Sequence, residues 1–224
     1  MEEILRYDMH PLVEAFSTRR GSSLPYSVTV GKQVHSDRIA VIDREGLSRE
    51  DLQGYDALIT DIPSLAIGVR TADCVPVLLL DPERRVVASV HSGWRGTVMK
   101  ISCKTISVMK ERFGCNPARI VAQIGPCIGA DSFQVGGEVV EQFHQEGFPM
   151  EEIYSLREGT FQDPMEGGEH LDLVGANIFL LLSCGVPPGN IKASGIDTYR
   201  DPSFFSARRE GASCGRTINS IRLL

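Results

Sequence analysis

Apolar and polar positions alternate along this chain in short blocks, most of them strand-length. The pattern predicts strands at Tyr26–Val30, Arg38–Asp43, Ala57–Thr60, Leu65–Arg70, Val75–Leu80, Arg85–Val90, Arg119–Ile124 and Asn190–Ile196, with a weaker one at Thr217–Leu223. The unbroken runs VPVLLL and RVVASV read as strands covered on both faces. Three segments carry helical spacing instead. The first, Trp94 to Arg112, places Val98, Ile101, Val108 and Met109 on one side and stops at Gly114. The second is Gly137–Glu146, with Val140 and Phe143 inward. The third is Asp172–Cys184, with Asp172 as its cap and Gly185 as its end. Phe148–Gly168, rich in Glu and Gly, reads as a long loop. Short strands mixed with three helices predict an α/β or α+β fold, a mixed β-sheet sandwich with flanking helices. No internal repeat or linker divides residues 1–224, so the chain reads as a single domain of a size that needs no disulfides.

Charge and cysteine usage narrow the partners. The 224 residues hold 23 Lys and Arg against 29 Asp and Glu, a net charge of −6. A nucleic-acid backbone is therefore not the expected partner, since there is no basic excess to release its counterions. The N-terminus is acidic and lacks the layout of a signal peptide. No apolar run approaches the ~20 residues that a membrane-spanning helix needs. The six cysteines form no C-x-x-C pair, which points to reduced thiols and a cytoplasmic protein.

Three segments carry ligand-type side chains at predicted strand ends: Gly31–His35, Thr71–Cys74 and His91–Gly96. Two imidazoles and one thiolate are a zinc ligand set that leaves a fourth position open. One thiolate leaves Zn²⁺ with a net charge of +1, so the ion keeps its Lewis acidity. Spacing does not by itself join His35, Cys74 and His91. From the residues alone, a capping or core histidine and a buried free cysteine are the more ordinary account of them.

The segments TADCVPVLLLD, VHSGWRGT, AQIGPCIGADSFQVG and FFSARREGASCGR, in this order from Phe16 to the C-terminus, resemble the YfiH family of laccase-domain proteins. The resemblance implies a metal site made by His35, Cys74 and His91, and a fold related to the cytotoxic-necrotizing-factor type of cysteine hydrolase. It also implies a zinc-dependent purine nucleoside enzyme. Such an enzyme would phosphorolyse adenosine, guanosine, inosine or methylthioadenosine and would deaminate adenosine, with nucleoside and phosphate as its small-molecule partners. Three departures stand out. Ser92 replaces the alanine of the usual HAGWRG. Asp197-Thr198 stands where many members have Cys-Thr. The segment before Gln33-Val34-His35 is shorter than usual, with only Gly21–Gly31 after Arg19-Arg20.

Other residues are candidates for catalysis or substrate contact. Cys74 is a catalytic candidate as well as a ligand. Asp73 adjoins it and can face the metal only if the chain turns there; it reads as a turn residue or a general base. Arg95, at the start of the first helix, suits an anionic substrate or a surface ion pair. Gln33 and Trp94, the single tryptophan, are candidate substrate contacts, with Trp94 equally suited to a core anchor. Arg19 and Arg208 are candidate substrate contacts, Arg208 within the basic cluster Phe204–Arg209 that Arg216 extends, which suits a phosphate or carboxylate or else a solvated, ion-paired face. Ile124–Gly129 reads as a tight turn. His10, His144 and His170 read as ordinary surface or turn histidines.

Three further functions compete. Cys74 and His91 suit an amidase-type hydrolase acting on a peptidoglycan precursor. A copper-dependent polyphenol oxidase is the family's older label, but five histidines are few for a multicopper cluster. A zinc-stabilised binding protein without turnover is the last.

Overall fold

The two apolar runs form the centre of the molecule. In the computed structural model, which describes residues 4–158 and 167–224, Val75–Asp81 (β7) and Val86–Ser92 (β8) pair antiparallel, and every residue of both strands is buried. Alternate residues serve two cores. Val75, Val77 and Leu79 face a helical layer, whereas Leu78, Leu80 and Val87 face a second sheet. The expectation of strands covered on both faces is met.

Around this pair, four strands complete a mixed sheet: Ile39–Val41 (β4), Ala57–Thr60 (β5), Val121–Ile124 (β9) and Ile191–Ala193 (β13). The order is β13-β9-β7-β8-β5-β4. Its opposing sheet contains Ile4–Arg6 (β1), Val13–Thr18 (β2), Thr29–Val30 (β3), Ile67–Thr71 (β6) and Thr217–Leu223 (β14), in the order β1-β2-β14-β6-β3. Val13, Ala15, Ile67, Ile221 and Leu223 pack from this sheet onto Leu58, Leu78 and Leu80. The mixed-sheet sandwich read from the sequence is the observed architecture.

Helices cover the other face. Trp94–Val98 (α1) and Ile101–Phe113 (α2) replace the one helix expected over Trp94–Arg112, because Lys100 between them adopts a left-handed conformation, φ 60°. Neither Gly nor Pro marks the break. Gly137–Gln145 (α3) and Leu173–Ser183 (α5) follow the expected ranges, and the Asp172 side chain accepts from Gly175 N at 2.9 Å as a cap. Most of the loop expected over Phe148–Gly168 is structured where it is described. Met150–Ile153 (α4) is a helical turn, and Tyr154–Arg157 (β11) pairs with Gly168–Leu171 (β12). Residues 159–166 of that stretch lie outside the described residues. A third small sheet joins Gln134–Val135 (β10), β12 and β11, and buries His170, which is a strand residue rather than a turn residue.

The thiols need one correction. Cys103 on α2 and Cys184 after α5 form a disulfide with Cα atoms 5.8 Å apart, and only Cys74, Cys115, Cys127 and Cys214 are free. The two helices lie side by side, while the cysteines are 81 positions apart in sequence, so no spacing motif exposes the pair. Among the described residues, no helix is long and apolar enough to cross a membrane.

Candidate metal centre and its cavity

Strand register builds the centre. In the β7–β8 pairing Pro76 lies opposite His91, and continuing that register sets Cys74 opposite Gly93. In the β5–β8 pairing Ala57 lies opposite Val90, which sets Asp56 opposite His91; the backbone confirms it, with His91 N donating to Asp56 O at 2.8 Å. Asp56 and His91 thus form a cross-strand pair, and the His91 Nδ1 to Asp56 Oδ1 distance is 2.7 Å. A His whose Nδ1–H is donated to a carboxylate offers Nε2 as a ligand.

The third ligand comes from a loop that Asp56 also holds. Its carboxylate accepts from the backbone N–H groups of Val34 at 3.2 Å, His35 at 3.0 Å and Ser36 at 2.8 Å, and from Ser36 Oγ at 2.7 Å. His35 is thereby fixed in a left-handed conformation, φ 62°. Its Nε2 lies 3.8 Å from Cys74 Sγ, and one donor atom from each of His35, Cys74 and His91 lies within 4.8 Å of the others. Tetrahedral bonds of about 2.0–2.3 Å imply ligand separations of roughly 3.3–3.6 Å, so small side-chain shifts close this set around an ion.

Gly93 supplies the space. A Cβ there would fall 2.9 Å from Cys74 Sγ and 3.2 Å from His35 Cδ2, inside the cradle itself. The donor set and the cradle both fit a metal. Without one, burial pushes the Cys74 thiol up, but the His91 charge and the His35 hydrogen bond outweigh it and bring its pKa down. Burial disfavours the His91 cation, and the Cys74 thiolate and Asp56 outweigh that and raise its pKa. Burial likewise pushes the Asp56 carboxyl up, yet hydrogen bonds from His91 and Ser36 hold it at about 2.

Asp73 marks the turn that the sequence required if Asp73 and Cys74 were both to serve the site. Its φ is 82°. Its carboxylate is occupied, however, by Thr198 Oγ1 at 2.7 Å, Ser206 Oγ at 3.1 Å and the backbone N of Arg208 at 2.7 Å. It ties two C-terminal loops to the ligand loop, and its lone pairs are engaged there rather than free to act as a base.

The ligands open onto a cavity of about 700 Å³. Of the residues expected to touch substrate, Gln33, Trp94 and Arg208 line it. Gln33 is also a brace: its amide donates to Arg70 O at 3.0 Å and accepts from Arg70 N at 2.8 Å, extending the β3–β6 pairing with a side chain. Arg208 donates to Ser132 O at 3.3 Å and Gln134 O at 2.8 Å, with its guanidinium over Phe133. Arg95 and Arg19 are not among the lining residues. Arg95 is exposed and stacks on the Trp94 ring at 4.4 Å. Arg19 bonds Ser203 Oγ at 2.5 Å and stacks on Phe204, away from the ligands.

Sequence reasoning missed three residues here, Asp56, Arg49 and Arg70, whereas Arg216, read as an extension of the C-terminal basic cluster, does line the cavity. Each stands alone in sequence, and only strand pairing brings them together. The Ile124–Gly129 turn serves packing: a Cβ on Gly125 would meet Pro76 at 2.9 Å, and one on Gly129 would meet Asp197 at 2.7 Å. Ser92, in place of the usual alanine, finds a buried partner in Thr97 Oγ1 at 3.0 Å.

Comparison with known proteins gives this geometry relatives. A purine nucleoside phosphorylase of Bacteroides thetaiotaomicron is 39% identical over 209 residues, covering 90% of this chain and 75% of that protein. Adenosine deaminase RL5, from an unknown prokaryotic organism, is 41% identical over 197 residues, covering 85% and 72%. The crystal structure of the hypothetical protein YfiH of Bacillus licheniformis matches with a TM-score of 0.83 at 28% identity, over 95% of this chain and 93% of that one. The family model described as multi-copper polyphenol oxidoreductase laccase matches residues 13–224. With a match of that extent, and with a YfiH structure as its neighbour, the chain belongs to this laccase-domain family, the one its TADC and HSGWRG segments resemble.

Proposed function

We propose that the chain is a zinc-dependent purine nucleoside enzyme that phosphorolyses purine nucleosides and deaminates adenosine. The observation that carries this is the joining of one His-Cys-His ligand set to a cavity walled by aromatic rings and arginines. At about 700 Å³ the cavity is within the ~300–1,000 Å³ range of small-molecule sites. Relatives named for the two reactions support the reading.

The chain's own groups divide the work. His35, Cys74 and His91 hold the ion, which when bound supplies Lewis acidity. Bound in this way, the Cys74 thiolate is a ligand and not a nucleophile. Asp56 keeps His91 in the tautomer that binds metal. Trp94, Phe133 and Ile128 offer flat apolar surface to a purine. Arg95 braces Trp94 from the solvent side and acts as a positioning residue. In phosphorolysis an oxygen of phosphate bonds to ribose C1′ while the C1′–N9 bond breaks. The base leaves with that electron pair and takes up a proton. In deamination water adds at C6 and ammonia leaves. Both reactions build negative charge that the cavity arginines can meet.

The test is to strip the purified protein of metal, reload it with zinc or with copper, and supply adenosine, inosine or guanosine with and without phosphate. Free base with ribose 1-phosphate, and inosine from adenosine, are the expected products of the zinc form. Absence of all of them, with Cys74→Ala indistinguishable from the unaltered protein, would sink the proposal. Phenol oxidation by the copper form alone would favour the polyphenol oxidase reading.

A further inference from the structure

Gly93 and Trp94 meet the site from a helix too short to hold itself. α1 has five residues, no side chain caps its N-terminus at Gly93, and the left-handed Lys100 separates it from α2. Isolated helices below ~12–15 residues are marginal in water, so tertiary contacts set its position. Yet a Cβ on Gly93 would enter the ligand cradle, and Trp94 walls the cavity.

A chain of buried polar groups supplies the hold. Ser92, Thr97, Ser102 and Asn177 are all fully buried. Thr97 Oγ1 is the hub, with Ser92 Oγ at 3.0 Å, Gly93 O at 3.1 Å and Asn177 Nδ2 at 3.1 Å. Asn177, on α5, sets the direction of the chain. Its Nδ2 donates to Leu173 O at 2.9 Å as well as to Thr97, and its Oδ1 accepts from Ser102 Oγ of α2 at 3.3 Å. The Leu173 carbonyl can only accept, so the amide nitrogen must face it and the second N–H points at Thr97. With one lone pair filled by Asn177, Thr97 keeps its proton for Gly93 O, and its other lone pair receives the Ser92 O–H. Gly93 O accepts from Thr97 N as well, at 2.8 Å. Two donors on one carbonyl fix the plane of the Gly93–Trp94 peptide. The order therefore runs from Ser102 through Asn177 and Thr97 to Gly93. Asn177 is itself anchored, because the Cys103–Cys184 disulfide ties α2 to the end of α5.

We propose that Asn177 is a positioning residue of the metal centre and its cavity. It touches neither ligand nor cavity. Through Thr97 it orients the Gly93–Trp94 peptide, and so both the space between Cys74 and His35 and the direction of the Trp94 ring. Ser92 is a side branch of the chain, since Thr97 keeps Asn177 and Gly93 without it. What Trp94 contacts rests on the proposed nucleoside reaction; its positioning by Asn177 does not.

The single tryptophan makes the test direct, because all indole fluorescence of the full chain comes from Trp94. Asn177→Leu is expected to shift that emission, to raise its quenching by acrylamide, and to weaken zinc binding about tenfold in chelator competition. Thr97→Val should do the same, and Thr97→Ser, which restores the hydroxyl, should return both readouts to those of the unaltered protein. Ser92→Ala should leave both unchanged. Leu80→Ala separates positioning from general destabilisation: Leu80 is fully buried in the second core, at the end of β7 away from Cys74. It should lower the melting temperature and leave Trp94 and zinc affinity as they were. Should Asn177→Leu not fold, the Thr97→Val and Thr97→Ser pair decides. Asn177→Leu equal to the unaltered protein in both readouts, Ser92→Ala equal to Asn177→Leu, or Leu80→Ala moving Trp94 as far, each overturns the proposal. Altered Trp94 and zinc readouts in a protein without nucleoside turnover leave Asn177 its role and remove the proposed reaction. Turnover with Asn177→Leu unchanged in both does the reverse.

Discussion

Asp56→Ala is the most informative single change, because one carboxylate serves two of the three ligands. It accepts from His91 Nδ1 at 2.7 Å and from three consecutive N–H groups of the His35 loop. The loop donors are partly exposed and regain water once the carboxylate is removed. His91 is only 4% exposed, so its ring N–H is orphaned. An orphaned buried donor costs about 1–3 kcal/mol, and loosening the loop adds about 1 kcal/mol, which totals roughly 2–4 kcal/mol in the metal-free protein. Metal affinity is expected to fall ~10–100-fold, the usual cost of losing a group that orients a ligand. Asp56→Asn keeps the volume but turns an N–H₂ toward donors, so it should recover little. Chelator competition reads the metal Kd, and urea melts of stripped protein read the stability. If Asp56→Ala keeps the metal Kd within twofold of the unaltered protein, the role given to Asp56 is wrong.

The same carboxylate sets an acid limit. Its folded pKa of about 2 lies below the ordinary value of 3.8, so its stabilisation is fully present above pH ~4 and is lost as pH falls through about 2. That difference amounts to about 2 kcal/mol, of the same order as the deletion cost. Metal-free protein should therefore lose stability between pH ~4 and ~2, and Asp56→Ala should show a flatter profile over that window.

Three other outcomes follow from the structure. Gly93→Ala keeps a permitted backbone, φ −64° and ψ 170°, but places its Cβ 2.9 Å from Cys74 Sγ; metal affinity should drop at least about tenfold, while stripped protein melts unchanged. Asp73→Ala orphans the buried Thr198 and Ser206 hydroxyls and should cost about 2–4 kcal/mol, with faster proteolysis of the 195–212 segment. Cys103→Ser removes the α2–α5 link and should cost roughly 2–4 kcal/mol, matched by reductant acting on the unaltered protein.

What could be read from sequence depended on whether a feature is local. Ala57–Thr60 matches its expected range because apolar residues dominate it, and Thr217–Leu223 matches on the weaker spacing of Ile218, Ile221 and Leu223. β2, VEAFST, was not anticipated: its Ser17 and Thr18 are buried, and their burial depends on Asn219 and Ile218 of β14. The 99–100 break carries no Gly or Pro, so the left-handed Lys100 that makes it has no sequence signal. The ligands His35, Cys74 and His91 were nameable through resemblance, while Asp56, which orients two of them, has no motif of its own. Its role exists only through the β5–β8 register.

That register also explains how a sheet can make a metal centre without a compact ligand motif. Asp56, His91 and Gly93 all lie where the β5, β8 and β7 strands end together, and the antiparallel pairing places each opposite its functional partner. A one-residue slip would turn His91 toward the helical core and Val90 toward the second sheet, so the packing that selects the register also selects the ligand geometry. The apolar alternation of Val86, Val87, Ala88 and Val90 thus constrains His91 as firmly as it constrains the core. Two of the three candidate ligands, Cys74 and His91, thus lie on or directly beside a fully buried strand pair, and His35 is tied to them through Asp56.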